Sequence, residues 1–195
     1  LVAYGWSDHP SEDRHEGMQA ALEAVQMDER SPYAHYALAI ISVYSESFDL
    51  ANRAGEKAVE VSPSFALGHL VCGMARLFSG DAEGAVTPLE LGLKLNRYDP
   101  QNFIWYNVLA LAYFFRRDLE EAMQRALMSL SIRPTWRSSM ETVIACCAAL
   151  GRVDVARHWN EQIQVLEKAS GDALEPLWLS NPHWARDMQA LLRRG

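Results

Sequence analysis

The stretch Ala51 to Pro63, ANRAGEKAVEVSP, decides the fold because its pattern returns. Ala51 has a counterpart 34 residues later at Ala85, in GDAEGAV, another 37 later at Ala122, in DLEEAM, and a fourth after a further 34 at Ala156, in GRVDVAR. Counting back 34 residues from Ala51 reaches Gly17. Twelve residues before these anchors stand Gly5, Ala39, Gly73, Ala110 and Ile144, small in all but the last. One residue earlier come Tyr4, Leu38, Cys72, Leu109 and Val143, all apolar. Gly80 and Gly151 lie five residues before their anchors, and Pro63 and Pro134 lie twelve after theirs. Between these landmarks the apolar residues follow helical spacing, and no β-alternation of any length occurs. A period of 34 that holds two helix-length segments is a repeat of two antiparallel helices.

Each landmark has a physical reason. A small residue in the first helix lets the second approach closely, and the small anchor in the second does the same in return. A glycine between them accepts the positive φ that ends the first helix. A proline stops the second helix and opens the next repeat. The longer third spacing comes from an insertion, Arg97-Tyr98-Asp99, which displaces the expected proline to Pro100. The pattern predicts a partial first helix over 1–9 and a lone second helix over 11–28. Helix pairs then follow at 32–45 with 48–62, 65–79 with 82–96, 101–116 with 118–132, and 136–150 with 152–169. Residues 1–170 thus read as one array, a partial repeat and then four pairs, and 171–195 as a linker and a capping helix. Asn181 is the expected cap of that last helix and Pro182 its first residue. Trp184, Met188, Leu191 and Leu192 give it one apolar face with which to cover the end of the array. Leu1 falls at the fourth position of a repeat, so further sequence is expected upstream.

The landmarks resemble the tetratricopeptide repeat, W-x2-L-G-x2-Y…A-x3-F…P. The tryptophan position departs from it, reading Leu1, His35, His69, Tyr106 and Met140. The resemblance implies an all-α fold, a right-handed superhelix of antiparallel helix pairs with a C-terminal capping helix. Three further stretches narrow it: GWSDHP at 5–10, the link LNRYDP at 95–100 followed by Phe103, Trp105 and Tyr106, and the closing Asn181-Pro182 with LLRRG at 191–195. Together they are similar to the C-terminal repeat region of bacterial class III adenylate cyclases and of related winged-helix regulators. That resemblance implies a regulatory, non-catalytic module attached to an effector domain. It carries over no catalytic or metal-binding residue.

Composition sets the outer bounds. The chain has 195 residues, 49% hydrophobic and 22% charged, the make-up of an ordinary globular protein. Its longest apolar stretch, Val108 to Phe115, is too short to span a membrane. No secretory signal is expected, since no charged segment followed by an apolar one opens the sequence. Net charge is −7, and all of it lies in residues 1–63, with 11 acidic and 4 basic residues. The arginines of the second half are scattered among acids rather than aligned, which argues against nucleic-acid binding. Cys72, Cys146 and Cys147 fit neither a disulfide framework nor a metal spacing. They read as small buried residues in a reducing cytoplasm, a redox pair being the alternative.

Nucleotide-binding, hydrolase, metalloprotease and calcium-loop motifs are missing. His35 and His69 share a repeat position but would stand about 10 Å apart, so packing is expected rather than shared ligation. His158 and Glu161 lack a third ligand. Glu12, Asp13, His15 and Glu16 crowd a helix start, where the helix dipole favours acids. No cofactor is expected. Such repeats act by surface, through positions 2, 5, 9 and 12 of their first helices. Those positions hold Tyr33, Tyr36, Ile40 and Val43, then Leu67, Leu70, Met74 and Leu77, then Ile104, Asn107, Leu111 and Phe114, and last Ser138, Glu141, Ala145 and Ala148. The candidate partner-binding set is Tyr33, Tyr36, Ile40, Leu67, Leu70, Met74, Ile104, Asn107, Leu111 and Phe114. Nine of the first twelve groove positions are apolar without a polar group, and none is Lys. Capture of a C-terminal carboxylate is therefore not expected. An amphipathic helix suits such a face, from a partner protein or from an N-terminal part of the same protein. A homodimer through it, or burial by superhelical curvature, would also satisfy it. A small-ligand sensor built on Tyr33, Tyr36, Trp105 and Tyr106, and a free-standing adaptor, are the competing functions.

Overall fold

The computed structural model describes residues 9–170 and, beyond them, Ala190. Among the described residues there are nine helices and no strand. They are α1 (Pro10–Met27), α2 (Pro32–Tyr44), α3 (Phe48–Val61), α4 (Ala66–Phe78), α5 (Ala82–Leu95), α6 (Asn102–Phe115), α7 (Leu119–Ile132), α8 (Arg137–Ala149) and α9 (Val153–Ser170). Every one of these bounds lies within one residue of the sequence expectation. The partial first helix and the capping helix with Asn181 lie outside the described residues.

The all-α helical-repeat fold expected from the period is the one that forms. The chain divides into two compact units, Leu1–Arg97 and Tyr98–Gly195. The division falls inside the three-residue insertion that lengthens the third spacing. In the first unit α1 packs on α2, α2 on α3, α3 on α4 and α4 on α5, and α2 also touches α4. In the second α6 packs on α7, α7 on α8 and α8 on α9, and α6 also touches α8. First helices of successive repeats thus lie side by side within each unit, and each second helix backs its own pair.

The small residues do what their spacing requires. Ala51, Ala85, Ala122 and Ala156 are completely buried. So are Ala39 and Ala110 twelve residues before them, and Gly73 is buried as well. Between α4 and α5 two glycines leave no room for a methyl group. A methyl group on Gly73 would lie 2.5 Å from Leu89 Cγ and 2.9 Å from the Ala85 carbonyl oxygen. One on Gly92 would lie 2.5 Å from Leu70 Cγ and 2.9 Å from the Ala66 carbonyl oxygen. Apolar side chains fill the space around these contacts. Leu38, Ala54 and Val71 form part of one cluster in the first unit. Leu130, Met140, Val143 and Ile144 form part of another in the second.

The turns repeat as faithfully as the helices. Five residues before each anchor the backbone is left-handed: φ is 56° at Glu46, 103° at Gly80, 70° at Arg117 and 73° at Gly151. Two of these four are glycine; the other two carry a side chain in a conformation that favours glycine. His35 and His69 also play one part twice. Each sets its ring Nε2 2.8 Å from a carbonyl oxygen six residues earlier, that of Glu29 and that of Pro63. The N–H donates there, so both histidines tie down the turn that leads into their helix.

Pro88 interrupts α5 and removes one backbone donor. The carbonyl deprived of its partner is that of Gly84, four residues earlier. Arg76 on α4 supplies the missing donor, its Nη1 lying 3.3 Å from that oxygen. Its Nη2 reaches Glu56 on α3 at 3.4 Å. One guanidinium thus links three helices. At the start of α5 the Asp81 carboxylate accepts the Gly84 N–H at 2.8 Å, an ordinary helix cap.

Candidate functional site

Helix α2 has no charged residue along its length, and α4 has only Arg76, which is engaged with α3 and α5. On this pair of first helices, almost free of charge, Tyr33 keeps 64% of its surface exposed. The Phe65 ring meets it edge-to-face at 4.7 Å and meets Tyr36 at 6.2 Å. Phe65 precedes α4 and lies outside the positions that the repeat pattern marks as partner-facing. Its signal was its place in the repeat, which Trp136 shares in the second unit. Around these rings Tyr36, Ile40 and Leu67 are half-buried.

The other expected groove residues lie deeper. Leu70, Met74 and Leu77 in the first unit and Leu111 and Phe114 in the second have almost no exposed surface. They form the wall behind the face rather than the face itself. Ile104 is half-buried. Of the ligand-sensor group, Tyr33 and Tyr36 belong to the first unit and Trp105 and Tyr106 to the second, where Trp105 is buried.

In the second unit α6 is as free of charge as α2, whereas α8 is polar, and side-chain hydrogen bonds join the two. Asn107 donates from Nδ2 to Ser138 Oγ at 2.9 Å, and its Oδ1 lies 2.9 Å from Ser139 Oγ. Ser139 Oγ is also 2.8 Å from Ser129 Oγ, and the Ser129 hydroxyl donates to the Phe103 carbonyl at 2.7 Å. Both ends of the Asn107 amide are therefore used inside the protein, tying α6 to α8. Arg137 donates from Nε to the buried Glu141 carboxylate at 2.8 Å, one turn away on α8. Arg133 lies over the Phe103 ring at 5.1 Å, and Phe103 meets Trp136 edge-to-face at 4.9 Å. This unit spends its polar groups on itself.

The remaining candidates resolve into structure. Cys72, Cys146 and Cys147 are free and buried. Burial pushes the Cys146 thiol up to about 12, with the neighbouring Cys147 adding to the effect. Burial also raises Cys72 and Cys147, against the opposing pull of Arg76 and of Arg152. A nucleophilic or redox cysteine needs the opposite shift. Glu12 and Asp13 occupy the first turn of α1, where the dipole favours them. Among the described residues no group of three or more His, Cys, Asp or Glu could hold a metal ion. No helix among them is long and apolar enough to cross a membrane.

No family model matches the chain, and no curated protein matches it. Solved structures do. The chain is similar to MamA, from residue 41 onward, of Desulfovibrio magneticus RS-1, with a TM-score of 0.68 and 16% identity over 82% of this chain and 88% of that one. It is similar to PilW, a widely conserved type IV pilus biogenesis factor, with a TM-score of 0.73 and 13% identity over 93% and 82%. It is also similar to YrrB, a TPR protein with an unusual peptide-binding site, with a TM-score of 0.63 and 13% identity over 91% of each chain. At such identities it is the backbone that is shared, and the backbone here is that of the tetratricopeptide repeat.

Proposed function

We propose that this chain is a non-catalytic protein-interaction module that takes a partner segment on the first-helix face of its first unit. The observation that carries this reading is Tyr33, a large aromatic ring left 64% exposed and backed by Phe65 on two helices almost free of charge. Exposed aromatic anchors with a firm support are the usual energetic centres of protein interfaces. YrrB, of the same fold, is described as having a peptide-binding site, and a peptide or helix is the partner proposed here. Of the ten positions marked by the repeat, Tyr33, Tyr36, Ile40 and Leu67 form this face. Leu70 and Met74 support it from behind. The corresponding residues of the second unit support its own core.

The narrower assignment, a regulatory arm of a cyclase-like or winged-helix protein in the cytoplasm, rests on the stretches at 5–10, 95–106 and 181–195. Fusion of this chain to such an effector, with and without the partner segment, would test it through the effector's activity.

The test of the interaction face is direct. The full chain is compared with Tyr33→Asp as bait, and captured proteins are identified and re-measured with purified components. Tyr33→Asp should keep a cooperative melt and lower the melting temperature by no more than about 6 °C, since it loses one edge-to-face contact worth about 0.5–1.5 kcal/mol. It should weaken a true partner at least tenfold, because a hot-spot aromatic contributes about 2 kcal/mol or more. A partner that binds both forms equally would remove the reading.

A further inference from the structure

Exposed acids outnumber exposed bases at both ends of α2. Asp28 and Glu29 stand immediately before α2, and Glu46 and Asp49 follow its C-terminal end. All four are exposed. Among the described residues none of the four forms an ion pair. Between them α2 runs for 13 residues without a charge, about 20 Å at the helical rise. The cations nearest in sequence are few: Arg30 at one end, and Arg53 and Lys57 on α3, with Lys57 paired to Glu60 at 2.7 Å. The wider field agrees, since residues 1–63 carry the whole net charge of −7.

Resting on the interaction face proposed above, we infer that its occupant is a cationic amphipathic helix. Its apolar side covers Tyr33, Phe65 and Leu67, and Lys or Arg flank that side at both ends, about 13 helical residues apart. Complementary charge across an interface speeds encounter and excludes wrong partners. A second copy of this chain is excluded by the same argument, since it would bring four more acids to the same place. An acidic or uncharged helix would leave the rim without its counterpart.

The test uses the full chain and three fluorescein-labelled helical peptides with one apolar face. Their flanks carry Lys, Gln or Glu. Binding is read by anisotropy at about 20 mM and about 300 mM salt, either side of physiological screening. The Lys-flanked peptide should bind at least about tenfold tighter than the Glu-flanked one at low salt, and the gap should shrink at high salt. The variant Asp28→Asn, Glu29→Gln, Glu46→Gln, Asp49→Asn should close the gap to about threefold or less while keeping a cooperative melt, lowered by a few degrees at most through the lost charge at the start of α3. Tyr33→Ala should weaken all three peptides alike. Equal binding of the three peptides, with Tyr33→Ala still weakening each, would overturn the charge proposal and leave the interaction face standing. Binding indifferent to Tyr33→Ala, or no binding at all, would overturn both. So would a Tyr33-dependent dimer in sedimentation, which would assign the face to a second copy.

Discussion

Arg76 and Pro88 show how a single residue's role depends on another that is twelve positions away. Proline at 88 leaves the Gly84 carbonyl without a helical donor, and Arg76 provides one from the neighbouring helix. Replacing Arg76 with Met should cost about 1–2 kcal/mol, the cost of orphaning a part-buried carbonyl. In a Pro88→Ala background, residue 88 regains its N–H and the same replacement should cost about 1 kcal/mol less. A double-mutant cycle by urea denaturation reads that coupling directly; additive effects would mean that the guanidinium does not serve this carbonyl. Cys146 makes a second prediction at this scale. Its thiol is held protonated in the fold to about 12, against an ordinary value of 9.0. Above pH 9 the unfolded chain loses the proton and the folded chain keeps it, so stability falls as pH rises. The slope is at most about 1.4 kcal/mol per pH unit from this one group. The difference in unfolding free energy between wild type and Cys146→Ala should be flat from pH 7 to 8.5. It should turn against the wild type between pH 9.5 and 11.

Helices were the most legible level of this protein. Period, small anchors and terminating prolines placed every described helix end to within a residue, because helix pairs that stack at a fixed distance leave a fixed sequence trace. The turns were half legible. Gly80 and Gly151 announce a left-handed residue, whereas Glu46 and Arg117 adopt the same conformation with no sign of it in their side chains. The repeat geometry imposes that φ wherever two helices must reverse in so few residues, and the side chain adapts. Element packing also separates sites that look alike. Ala39 and Ala110 carry a methyl group where Gly73 has none, and between α4 and α5 neither Gly73 nor Gly92 has room for one. Gly92→Ala should therefore destabilise by about 1–3 kcal/mol, overpacking outweighing the roughly 1 kcal/mol gain in helix propensity. Thermal denaturation checks the sign, and a rise in melting temperature would mean that Leu70 yields more easily than its neighbours suggest.

The chain as a whole consists of two units, each with its own apolar cluster. Fragments 1–97 and 98–195 should each keep helical circular dichroism and a cooperative melt, since each retains the contacts that bury its anchors. A cut at 62/63 should abolish cooperativity in the first unit, because it parts α3 from α4. Fragments that behave in the reverse way would show that the insertion is not a boundary of stability.

What the sequence determined by itself was whatever follows from local spacing: the fold class, the helix ends, the anchors and the burial of the cysteines. Tertiary structure decided what depends on neighbours remote in the chain. It buried Leu70, Met74, Leu111 and Phe114 behind the face that the repeat pattern assigns to partners. It turned the Asn107 amide inward onto Ser138 and Ser139, and it brought Phe65 against Tyr33. A repeat position fixes the direction of a side chain from its own helix. How much of that side chain still meets solvent depends on how closely the next helix packs, and residues a full repeat away set that distance.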